Sequence, residues 1–124
     1  MTEDQIALLK MAVASMHREI QEVTSEGLII KQLTGGGGPE TPVLFNSWVS
    51  IEDAMALAIY HKMDIGHEHH PVGRTAITIN IRNNGGLIYT ALQSTEKMSE
   101  HRAICKAVTE AAVWCGRRFK GPNE

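Results

Sequence analysis

The chain has 124 residues, 43% of them hydrophobic and 21% charged, which fits one ordinary domain with a single core and excludes a disordered tail. No apolar run approaches the roughly 20 residues of a spanning helix, and the opening Met1-Thr2-Glu3-Asp4 lacks a charged-then-apolar leader, so no membrane association and a cytoplasmic location are expected. Net charge is only −2, yet residues 1–73 hold four Lys or Arg against ten acids and residues 74–120 hold eight against three, the imbalance a localised anion site or an acidic partner surface would produce.

Thr2-Glu3-Asp4-Gln5 fits a capping box, with two acids in the first turn to suit the helix dipole. Beyond it Ile6, Leu9, Val13, Met16, Ile20 and Val23 recur at three- and four-residue steps, an a/d stripe that predicts a long helix over 3–24. Such a helix lies across a sheet or forms a seam with another copy, so a homo-oligomer is one expectation. After Gly27, residues Leu28 to Leu33 read as a strand. Gly35 to Gly38 with Pro39 and Pro42 make a loop over 34–42. A phosphate loop would feed a helix N-terminus and a Lys-Ser/Thr; here the short strand Val43-Leu44-Phe45 follows, so a hairpin loop is predicted.

Ser50-Ile51-Glu52-Asp53 is a second cap, with Val49 placed for a hydrophobic staple. It opens a helix through Met63 whose apolar face is Ile51, Ala54, Met55, Ala58 and Ile59. Asp64 to Gly73, holding His67, His69 and His70, reads as a turn rich in His, Gly and Pro. From Ala76 to Arg82 the pattern alternates, with Ile77, Ile79 and Ile81 on one side and Thr78, Asn80 and Arg82 on the other. Asn83-Asn84-Gly85-Gly86 is a hairpin turn, and Leu87 to Gln93 returns as the partner strand. Ser99 caps a last helix to about Cys115 that buries Ala103, Ile104, Ala107, Val108, Ala111 and Ala112. Gly116 is its natural stop, and 116–124 forms a basic tail. The order α-β-β-α-β-β-α over 1–124 predicts a single-domain α+β layered sandwich on an antiparallel or mixed sheet.

Cys105 and Cys115 are ten positions apart on that helix, about 15 Å along its axis. A disulfide needs Cα atoms within about 7 Å, so both are read as buried thiols in a reducing compartment.

Candidate chemistry is sparse outside the basic half. His67, His69 and His70 are metal-ligand candidates, but no His-Glu-x-x-His helix supports them, so neither metal nor cofactor is expected. No Gly-x-Ser-x-Gly elbow is present, and the paired carboxylates Glu19/Glu22 and Glu52/Asp53 suit solvent faces and caps, so an enzyme is not expected. Arg102 and Lys106 project from one helix face toward the rim of the hairpin that carries Arg82, Asn83 and Asn84. Guanidinium grips phosphate bidentately and Lys adds a point charge, while Asn side chains and turn amides can read a base or ribose. Arg117, Arg118 and Lys120 form a second anion cluster that also complements the helix C-terminus. Six aromatic residues and a negative net charge argue against extended nucleic acid, which needs stacking platforms and a basic track.

The segment Leu87-Ile88-Tyr89-Thr90-Ala91 followed by Arg102-Ala103-Ile104-Cys105-Lys106-Ala107 resembles small phage-encoded α/β proteins of the ABA-sandwich kind. Its layout, a hairpin and then a helix with basic residues four apart, is similar to phage anti-Thoeris sponges. Those bind cyclic ADP-ribose-type signals, and in some cases cyclic oligonucleotides, without cleaving them. The resemblance implies that Arg102 and Lys106 hold phosphates while Asn84 contacts the ligand. The expected function is that of a non-catalytic oligomeric protein of the anti-defence type, sequestering a small anionic cyclic nucleotide signal in the host cytoplasm. The alternative is an inhibitor module that docks a host enzyme through its heptad helix or basic face.

Overall fold

The computed structural model describes residues 1–32, 41–69, 75–83, 86–96 and 98–119, with the backbone alone at Gln32, Thr41, Glu68, His69, Thr75, Asn83, Arg118 and Phe119. The first helix, α1, spans Glu3–Ser15. Its capping box is formed: Thr2 Oγ1 accepts the Gln5 N–H at 3.1 Å and Gln5 Oε1 accepts the Thr2 N–H at 3.0 Å. Leu9, Ala12 and Val13 are buried beneath it. The helix predicted over 3–24 is corrected here, because the chain turns after Met16 and His17 takes the left-handed φ of 57°, which ends a helix. Ile20 and Val23 fall in step with the helical stripe, but Ile20–Thr24 is strand β1, where they pair with Ile30 and Leu28. Their β-branched side chains suit a pleated surface better than another helical turn.

Strand β2, Gly27–Gln32, is the centre of an antiparallel sheet between β1 and β3, Thr41–Phe45, with Leu28 opposite Phe45 and Ile30 opposite Val43. Helix α2, Ile51–Tyr60, begins where Ser50 Oγ accepts the Asp53 N–H at 3.3 Å. No staple forms at its start, since Val49 is exposed. The buried face is Ala54, Leu57 and Ala58, whereas Ile59 is 77% exposed, so the apolar stripe is turned from the predicted one toward Leu57. Lys62, at φ 55°, ends α2 as His17 ends α1.

The stretch read as a histidine-rich turn is instead strand β4, Met63–His69, held by a full antiparallel ladder from Met63 opposite Ile81 to His69 opposite Thr75. Its partner β5, Thr75–Asn83, also pairs with β6, Gly86–Ser94. The last helix, α3, spans Glu100–Phe119 and runs through Gly116. Gly116 serves helix packing rather than a stop, because a Cβ there would lie 3.1 Å from the Ser15 Cβ. The order is thus α-βββ-α-βββ-α, one strand more in each unit than predicted, in an α+β sandwich with two three-stranded antiparallel sheets.

Helix α3 is the centre of the core. It packs on β5 and β6, where Ile77 and Ile79 are fully buried, and is covered by α1 and α2. Small residues such as Ala103, Ala107, Ala111 and Ala112, all buried, let these elements approach closely. Cys105 and Cys115 are free and buried, and burial pushes the Cys115 thiol up to about 11, which keeps it unreactive.

The ends of α1 and α2 are joined by a polar lock. Ser15 Oγ donates to the Ala12 carbonyl at 2.5 Å and lies 2.9 Å from His61 Nε2, so a protonated Nε2 donates to the serine. Burial, and secondarily the nearby His17, hold the His61 pKa below its ordinary value. The folded state therefore favours neutral His61, and this contribution is complete above the unfolded pKa near 6.5 and lost as pH falls through the folded value. In urea titrations, wild-type stability should drop on acidification below about pH 6.5, and His61→Gln, which keeps a donor without titrating, should show a smaller drop. An equal drop in both proteins would refute the burial of His61 as the source.

Candidate functional site

One groove collects the two principal residues of the basic half. It encloses about 340 Å³ between α1 and α3, lined by Gln5 and Leu8 of α1, Trp48 of the loop before α2, Met98, and Arg102, Lys106 and Glu110 of α3. The last three recur every four residues, so they form one stripe along the helix. Arg102 and Glu110 are exposed and Lys106 is half-buried.

Arg102 lies in the first turn, where Ser99 Oγ accepts its backbone N–H at 3.2 Å. The positive end of the helix dipole therefore adds to its charge. Among the described residues neither Arg102 nor Lys106 has an ion pair. Glu110 gives the far end of the groove one acceptor and leaves the α3 stripe with a surplus of positive charge. The Trp48 ring is fixed from both sides: its Nε1–H donates to the Gln5 carbonyl at 3.0 Å and its backbone N–H to Asn46 Oδ1 at 3.1 Å. With Leu8 and Met98 it supplies an apolar wall. A concave volume of this size with a few convergent polar groups is the usual form of a small-molecule site.

The other predicted residues stand elsewhere. Ile77, Ile79 and Ile81 of β5 are buried toward α3, while Arg82 is exposed in the opposite phase of the strand and pairs with Asp64 through Nε at 3.6 Å. Within one chain the sheet stands between Arg82 and the Arg102–Lys106 stripe, so the expected convergence of these three does not occur. The Asn83 side chain and Asn84 lie outside the described residues. Arg117 is exposed near the far end of α3, with Nη2 at 3.7 Å from Met11 Sδ, about 22 Å along the axis from Arg102. The Arg118 side chain and Lys120 lie outside the described residues. His67 Nε2 meets a Glu100 carboxylate oxygen, a contact that ties β4 to the start of α3; the His69 side chain and His70 lie outside the described residues. Among the described residues no three metal-binding side chains come together.

The sequence reading missed Gln5, Leu8, Trp48, Met98 and Glu110. Glu110 had a signal, since it continues the four-residue stripe. The others meet only through the packing of α1 on α3. Comparison with family models, curated proteins and solved structures finds no match to this chain.

Proposed function

We propose that the protein binds a small anionic nucleotide in the groove between α1 and α3 and holds it without chemical change. The supporting observation is the stripe of Arg102 and Lys106, unpaired among the described residues, beside the apolar wall of Leu8, Trp48 and Met98. Phosphates would lie against the two cations and a base against the wall. The Glu110 carboxylate would accept from an exocyclic amino group or a ribose hydroxyl. None of the lining side chains is a hydroxyl, thiol or imidazole, which favours sequestration over turnover.

The biological role that follows is the sponge-like one: removal of a cyclic nucleotide immune signal by a phage anti-defence protein in the host cytoplasm, working as a homo-oligomer. On this reading a second copy is required if Arg82 is to reach the groove, since within one chain the sheet stands between them. The alternative, a module docking a host enzyme, is left with the basic stripe alone, since Leu9, Val13 and Met16 are buried in this chain's own core.

Thermal shift against cyclic nucleotides and cyclic ADP-ribose isomers tests this, with the ligand recovered after heating. A ligand at 100 times its Kd should add about 2.7 kcal/mol of stability and be released intact. Arg102→Glu should weaken that ligand about 100-fold or more while the exposed position leaves folding unchanged. An altered ligand, or unchanged affinity in Arg102→Glu, overturns the assignment. No shift with any member of the panel favours docking.

A further inference from the structure

A second groove, also about 340 Å³, lies between the first sheet and α2. One wall is apolar, made by Ile30 of β2 and by Val43 and Phe45 of β3. Four charged side chains line it: Arg18 from the segment that joins α1 to β1, Lys31 of β2, and Glu52 and Asp53 from the first turn of α2.

Arg18 is chemically unfinished. Its Nη1 is sealed from solvent and has no hydrogen-bond partner among the described residues, although a buried guanidinium nitrogen without an acceptor is costly. Arg18 has no ion pair among the described residues, even though two carboxylates line the same groove. Lys31, at the same site, lies 3.5 Å from Glu19.

Glu52 and Asp53 are the complementary half. One Asp53 oxygen, Oδ2, accepts the Asn46 N–H at 2.8 Å. Burial, assisted by the charge of Glu52, raises the Asp53 pKa against the lowering effects of Asn46 and Ser50. A cation placed between the two carboxylates would offset that cost. Among the described residues the groove thus carries a cation, Arg18, and two acids, Glu52 and Asp53, with no ion pair joining them. A ligand bearing both charges would satisfy each.

We propose that this groove binds a small zwitterion of the α-amino acid class with a large apolar side chain: its carboxylate on Arg18, its ammonium on Glu52 and Asp53, and its side chain along Ile30, Val43 and Phe45. Arg18 would take the carboxylate by charge-assisted hydrogen bonds through its nitrogens other than the sealed Nη1, and the apolar wall selects against small or polar side chains.

Three probes of one carbon skeleton separate the parts: L-leucine, isopentylamine, which lacks the carboxylate, and 4-methylpentanoate, which lacks the ammonium. Each is titrated into the full chain labelled with nitrogen-15. L-Leucine should shift the amides of Arg18, Val43 and Glu52 saturably. Each singly charged analogue should bind about tenfold more weakly or worse. In Arg18→Gln, L-leucine should bind no better than isopentylamine. In Arg102→Glu its affinity should be unchanged, which separates this groove from the nucleotide site. Should Arg18→Gln fail to fold, Glu52→Gln at an exposed helix position supplies the reciprocal test, the loss of preference over 4-methylpentanoate. Equal affinity for the three probes, no saturable shift with L-leucine, or wild-type preference in the variants would overturn the proposal.

Discussion

Replacing Gly27 with alanine should lower stability by about 3 kcal/mol or more and the melting temperature by roughly 10 °C. Gly27 opens β2 at a φ of +151°, and a Cβ there would lie 2.5 Å from the Phe45 carbonyl oxygen and 3.0 Å from the Asn46 Cβ. Neither neighbour can yield. Phe45 is fixed by its register with Leu28 and is buried, and Asn46 is pinned as described below. The carbonyl of the same residue accepts the Thr24 hydroxyl at 3.0 Å, so a shift of the backbone here also disturbs the hairpin turn. Gly66→Ala is the control. A Cβ at Gly66 meets only the Thr78 hydroxyl at 2.8 Å, a group that can rotate away, so its cost should stay below about 1 kcal/mol. Urea unfolding of both variants decides the matter, and equal losses would refute the close approach at Gly27 as the cause.

Asn46→Ala should cost about 2–4 kcal/mol. Asn46 is 5% exposed and bonds in three directions. Oδ1 accepts the Trp48 N–H at 3.1 Å, Nδ2 donates to the Glu26 carbonyl at 2.8 Å, and the backbone N–H donates to Asp53 Oδ2 at 2.8 Å. One residue therefore joins the β1–β2 turn, the loop that carries Trp48 and the first turn of α2. Truncation leaves the buried Trp48 amide without its acceptor. It also loosens the loop whose Trp48 indole walls the groove between α1 and α3, so affinity for the proposed ligand should fall along with stability. Asn46→Asp is the sharper variant. It keeps the acceptor for Trp48 but turns a carboxylate toward the Glu26 carbonyl and Asp53, so it should be at least as damaging at neutral pH as alanine. Chemical unfolding of both variants checks this, and near-wild-type stability in either would refute the role of the side chain.

What was legible in the sequence was local. The Thr2 and Ser50 caps, the Ile77/Ile79/Ile81 alternation and the small-residue face of α3 are written in neighbouring positions, and each is found where it was read. The stop of α1 was hidden because the left-handed residue that ends it is His17 rather than a glycine. Strand β4 was hidden because Gly66 and the histidines have little β-propensity of their own; the ladder with β5 holds it. Gly116 misled in the opposite sense. A glycine near a helix end reads as a stop, and here its missing side chain makes room for Ser15.

At the site, the Arg102–Lys106 pair followed from helical spacing alone. The displacement of Arg82 was also readable, since it shares the strand phase of Thr78 and Asn80 rather than that of the buried isoleucines. Trp48 and Met98 carried no such mark, for they join the groove only when segments distant in sequence pack together. Arg18 was obscured because the heptad stripe placed it inside a helix over 3–24, whereas α1 ends at Ser15.

The central position of α3 has a consequence for how the chain is made. This helix follows every other described element, yet α1, α2, β5 and β6 all pack against it. During synthesis on the ribosome, Leu9, Val13, Leu57, Ile77 and Ile79 emerge with their covering helix still untranslated. The nascent chain must carry that apolar surface exposed until residues 100–119 are released, and only then can the core close. Apolar surface exposed in this way makes an incomplete chain prone to aggregation. A ribosome stalled short of residue 100 would hold an aggregation-prone fragment rather than a half-built domain.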